Sequence, residues 1–108
     1  MDFDAASRIY REILETSEER LLREVELTAV CYAGSRVEWK LTSREGRAGM
    51  NAGRTAAHDA FIESCDASSR AMAKRGESNA WRAQLGQGRK QLGDFACYLH
   101  CMLGLVAA

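Results

Sequence analysis

No proline occurs anywhere in the 108 residues of this chain, and that absence constrains the fold more than any motif the chain carries. Proline removes a backbone donor and clashes with the preceding helical turn, so a chain without it has no obligatory helix breaker. Glycine is the strongest punctuation left, among many Ala, Leu, Arg and Glu, which are good helix formers. The expectation is an all-α protein, a small bundle of four to five helices in one domain spanning residues 1–108.

The spacing of apolar residues agrees. Tyr10, Ile13, Leu14, Ser17, Leu21, Val25, Thr28, Ala29 and Tyr32 recur at three- and four-residue steps, the mark of one helical face. Asp2 or Asp4 suits its N-cap. Opposite charges stand four apart at Arg8–Glu12, Arg11–Glu15, Glu19–Arg23 and Arg20–Glu24. Thr16 and Glu19 fit a capping box, so a break into two helices there is an open alternative. Gly34 is the expected C′ stop.

Beyond it, Val37, Trp39 and Leu41 alternate with charged residues, the period of a half-buried strand. A hairpin would make 26–42 a small β element; a helix through Tyr32 followed by an extended segment or short helix is preferred. Gly46, Gly49 and Gly53 mark 43–53 as a flexible glycine-rich loop.

The second half is easier to read. From Thr55, a helix gathers Ala57, Phe61, Ile62, Cys65, Ser68, Ser69 and Met72 on one face and ends at Gly76. Ser78 is the expected N-cap of a short helix that stops at Gly86, anchored by Trp81 and Leu85. A last helix starts near Gly88 or Arg89 and runs to about Val106, with Leu92, Phe95, Ala96, Leu99, Met102, Leu103 and Val106 in one apolar arc. Beside that arc lies a stripe of Gly93, Cys97, His100, Cys101 and Gly104.

Charge excludes the simplest nucleic-acid reading. Fifteen basic residues balance fifteen acidic ones, whereas non-specific phosphate binding rests on a basic excess. Up to Gly34 there are four basic and eight acidic side chains, so this part carries −4 and the remainder +4, which favours attraction within or between chains. No apolar leader is visible in the first twenty residues, and the uncharged run from Phe95 to Ala108 is shorter than the roughly 20 residues a membrane span needs. The expectation is a cytoplasmic protein with free thiols and no membrane partner.

Four groups of residues carry possible chemistry. Cys97, His100 and Cys101 lie on adjacent turns and offer soft ligands for zinc, with Cys31, Cys65 or His58 as completing candidates. A disulfide between Cys97 and Cys101 is not expected, because side chains four apart in a helix have Cβ atoms about 5–6 Å apart, too far for the bond. His100, between the arc and the stripe, is expected to be buried with a polar partner such as Ser68 or Asp66.

Arg44, Arg47 and Arg54 surround the glycine loop and form a candidate anion site, although neither common phosphate fingerprint is present. Asp59, Glu63 and Asp66 share a helix face that suits a hard cation or a solvated surface, and His58 is expected to diverge from Asp59. Basic residues around Trp81, from Lys74 to Lys90, form a weak nucleic-acid candidate. No catalytic set stands out. The leading reading is a non-enzymatic interaction module, a homodimer through its last helix. A metal or thiol sensor and a nucleic-acid or phosphate-ligand accessory protein are the alternatives.

Overall fold

Asp2 caps the first helix: its carboxylate accepts from the Ala5 amide at 2.8 Å, and α1 runs over Phe3–Thr16. In the computed structural model, which describes the backbone of residues 1–107 and the side chains of residues 1–104, every element is helical. The chain continues through α2 (Glu19–Leu41), α3 (Arg44–Arg47), a 3-10 turn (Ala48–Met50), α4 (Asn51–Lys74), α5 (Ala80–Leu85) and α6 (Arg89–Ala107). No strand occurs among the described residues.

The break between α1 and α2 is real, but the capping box does not make it. Ser17 and Glu18 are extended, no side chain caps α2, and the Thr16 hydroxyl donates back to the Glu12 carbonyl. What holds the corner is tertiary. Ser17 shares a 2.9 Å hydrogen bond with Ser68, and the Arg75 guanidinium donates to the Thr16 carbonyl, one of the orphan acceptors at the end of α1. Of the four expected charge pairs, Glu19–Arg23 (2.8 Å) and Arg20–Glu24 (3.4 Å) are formed.

Gly34 does not stop α2, and residues 26–42 form neither a hairpin nor an extended segment. Among the described residues the only positive φ values belong to Gly76 and Gly86. Gly34 keeps ordinary helical geometry, and the helix continues for seven residues past it to Leu41. A mid-helix glycine costs about 1 kcal/mol relative to alanine. The burial of Tyr32 and Ala33 on one side of it, and the seating of Arg36 against α6, outweigh that cost. The alternation of Val37, Trp39 and Leu41 is compatible with a helix, since Val37 and Leu41 are four apart and share a side.

Residues 43–53 also differ from the expected loop. Ser43 caps a short helix by accepting from the Gly46 amide, and the chain winds through the 3-10 turn directly into α4. The glycines here adopt no conformation closed to other residues. The second half follows expectation more closely: α4 ends before Gly76 (φ 75°), and Gly86 (φ 76°) terminates α5, each using the left-handed freedom of glycine. Asn79 rather than Ser78 is the N-cap of α5.

α2 is the axis of the bundle, packed chiefly on α4 and α6. Trp39 meets Arg54, Tyr32 meets His58 and Phe61, and Leu21 shares a surface hollow with Ala67 and Ala71, so α2 and α4 run antiparallel. Between the layers lie Ile9, Ile13, Val25, Phe61, Met72, Trp81, Leu85, Leu92, Phe95 and Leu99, all essentially inaccessible. Trp81 plugs the core as expected and finds an acceptor there, the Met72 sulfur at 3.1 Å. The molecule is elongated, 49 × 28 × 24 Å, because the α2–α4 pair is longer than its neighbours.

Candidate interaction surface and sulfur-lined groove

α2 carries apolar residues on two sides. One side, Leu21, Val25, Ala29, Tyr32 and Ala33, is buried in the bundle. On the outer side Leu27, Val30, Gly34, Val37 and Leu41 follow one another at steps of three, four, three and four. That is the a/d spacing of a coiled-coil seam sustained over two heptads. Among the described residues most of it lies open: Leu27 is 66 %, Val37 49 % and Leu41 82 % exposed, Val30 and Gly34 are half-buried, and a Cβ added at Gly34 would meet only open space. Leu103 of α6 joins the same surface, lining a hollow with Arg23, Glu26, Leu27 and Val30.

The expected core arc of α6 is buried through Leu92, Phe95, Ala96 and Leu99 and then runs out. Leu103 and Met102 are half-buried, and His100, Cys101 and Gly104 are exposed. The side chain of Val106 lies outside the described residues. His100 is therefore not the buried, partnered imidazole the helical angles predict. Leu103 points along the same side as the buried Leu92 and Ala96 yet stays half-exposed, so the cover of α6 ends along its axis rather than around it. The proposed partners are engaged elsewhere, Ser68 with Ser17 and Asp66 with Arg82.

Cys97 and Cys101 face a groove between the start of α1 and α6, about 340 Å³ in volume, lined also by Met1, Phe3, Ala6, Asp94, Tyr98 and Met102. His100 is not among its lining residues. Cys31 lies exposed on α2 and Cys65 is fully buried on α4, so neither completes a set with Cys97 and Cys101. Among the described residues no three His, Cys, Asp or Glu side chains are grouped to hold a metal ion. Burial pushes the Cys65 thiol up to about 12, the nearby Arg82 lowering and Asp66 raising it further.

The arginines of the candidate anion site are divided. Arg47 caps the end of α2, donating to the carbonyls of Trp39 (2.9 Å) and Thr42 (3.1 Å). The Arg54 guanidinium lies 3.8 Å from the centre of the Trp39 ring, and that of Arg47 lies 5.2 Å away. Arg44 is exposed and makes no hydrogen bond or ion pair among the described residues. Two of the three thus converge on Trp39 in cation–π contacts that fix the α2–α4 tip.

The acidic face of α4 is spoken for as well. Asp66 accepts from Arg82 at 2.6 Å, Glu63 pairs with Arg70 at 2.9 Å, and Asp59 meets His58 Nδ1 at 3.2 Å. The last contact departs from the expected divergence. Neighbouring Cβ atoms do point apart, but the aspartate is short enough to fold back beside a ring held edge-on against Tyr32. In the basic stretch from Lys74 to Lys90, Arg82 is buried on Asp66 and Arg75 caps α1. These two cations serve the fold.

No helix of the described residues is long and apolar enough to cross a membrane. No protein-family model matches the chain, and neither a curated protein nor a solved structure matches it significantly.

Proposed function

We propose that this protein is a small non-enzymatic interaction module that self-associates, and that the outer seam of α2, extended by Leu103 of the C-terminal helix, is its contact surface. The observation that carries the reading is the run Leu27, Val30, Gly34, Val37 and Leu41, of which Leu27, Val37 and Leu41 are exposed and Val30 and Gly34 half-buried among the described residues. A regular heptad face has no use in a monomer, while it packs side chains into the spaces of a second helix. Gly34 adds to this. Its conformation and surroundings need no glycine, and at the centre of the seam it lets another backbone approach closely.

A second copy of the chain fits this surface. Two α2 helices crossing antiparallel about a two-fold axis near Tyr32 place Leu27 of each copy against Val37 of the other, and Val30 against Gly34. The same register brings Glu26 beside Lys40 and opposes the two helix dipoles. Leu27→Asp combined with Val37→Asp tests the surface, because both side chains are exposed and their replacement leaves the monomer's core untouched. Light scattering on the eluting protein is expected to give a dimer mass for the parent chain and a monomer mass for the variant. A variant that remains dimeric would place the contact elsewhere.

A further inference from the structure

We propose that the groove between α1 and α6 binds one soft monovalent cation, Cu(I), held by the Cys97 and Cys101 thiolates with the Met1 and Met102 thioethers as weaker ligands. This proposal is independent of self-association. Four of the chain's eight sulfur-bearing side chains line this one groove; Met1 and Cys97 also pack against the core, whereas Cys101 is exposed. The rest of the lining is largely apolar, Phe3, Ala6 and Tyr98, with the carboxylates of Asp2 and Asp94 at its margin.

The spacing suits an ion better than a bond. Cβ atoms four apart in a helix are about 5–6 Å from each other, beyond the roughly 3.5–4.5 Å of a disulfide. Two metal–thiolate bonds, about 2.3 Å each where the ion is zinc, set the sulfurs about twice that far apart across a shared ion, a span that successive turns provide. The choice of metal follows from the donors. Thiolate and thioether together are soft and select Cu(I), whereas a zinc site of the expected kind lacks its imidazole here, His100 being exposed and outside the groove.

A second observation places a cation beside the sulfur. Arg36 Nη1 lies 3.7 Å from Cys97 Sγ and 3.9 Å from an Asp94 oxygen. It reaches that position because residue 93 is glycine: a Cβ there would come within 2.2 Å of Nη1. Binding replaces two S–H bonds by two Cu–S bonds, releases two protons and changes no oxidation state. The bis-thiolate complex carries one net negative charge, which the Arg36 guanidinium offsets.

Anaerobic titration of the full chain with Cu(I) against a chromophoric copper chelator tests this. One equivalent is expected to bind, with at least a hundredfold loss of affinity for Cys97→Ser or Cys101→Ser. About tenfold loss is expected for Met102→Leu, a loss for Arg36→Gln restored in part by Arg36→Lys, and no change for Cys31→Ser. Should a variant fail to fold, the parent chain still decides the matter: with one equivalent of Cu(I), Cys97 and Cys101 should be shielded from alkylation while Cys31 is not. Absence of tight binding, alkylation of Cys97 and Cys101 at the rate of the copper-free chain, or affinity lost only with Cys31 would overturn the proposal.

Discussion

Cys65 shows how a single burial becomes a pH dependence. Its thiol titrates near 9.0 when free and is pushed up to about 12 in the fold, first by desolvation. The raised value means that the folded state disfavours the thiolate, so the stability it contributes is complete below pH 9 and is lost as pH rises toward 12. The free value of Tyr10 is 10.0; it is raised by burial and by its hydrogen bond to Glu26, and its contribution adds to the loss from pH 10 upward. Urea midpoints between pH 8 and 10.5 should fall steeply for the parent chain and less steeply for Cys65→Ala. Equal slopes would remove Cys65 from the account. Gly34→Ala should stabilise the monomer by about 0.5–1 kcal/mol, since the helix is ordinary there and the added methyl meets nothing. Arg82→Ala should destabilise by about 2 kcal/mol, measured by thermal unfolding, because it strips the 2.6 Å partner from Asp66 and the 2.8 Å donor from the Gly86 carbonyl. At this scale the sequence misleads about His100, for helical angles say which way a side chain points but not how far along the helix its neighbours extend.

Among the elements, α4, α5 and α6 are legible in the sequence because each has an apolar face of helical period and, for α4 and α5, a left-handed glycine at its end, whereas α1 reads there as the start of one helix through Tyr32, with the break near Thr16 an alternative. The run from Gly34 to Gly53 is not legible. Glycine signals a stop only where the chain needs a positive φ, and neither Gly34 nor the three glycines that follow adopt one. What carries the helix through is tertiary: Arg36 reaching α6 and Trp39 stacked under Arg54. Misreading Gly34 also hides the seam, since the four-three rhythm from Leu27 to Leu41 is visible only when the helix is allowed to continue. The antiparallel register makes a prediction of its own. Cys31, exposed beside the seam and next to the two-fold axis, should cross-link to Cys31 of a second copy under mild oxidation, and the cross-link should vanish in Cys31→Ser. Cross-linked dimers that survive that substitution would contradict the register.

For the whole molecule, the −4 and +4 charges of the two parts of the chain (four basic against eight acidic residues up to Gly34) are joined by no side-chain ion pair among the described residues, whose pairs lie within one part or the other, and the proposed contact surface is apolar at its centre. On one edge of the proposed contact the register sets Glu24 near Glu38, a like-charge pair that Arg20 relieves only in part. Glu38→Lys should therefore tighten the association, with the dissociation constant falling several-fold at low salt and less at high salt. The central claim, that two chains meet through α2, is tested most directly by sedimentation equilibrium of the unmodified protein from about 1 to 100 micromolar. A reversible rise from the mass of one 12.0 kDa chain to that of two is expected. A single-chain mass across the whole range would contradict it.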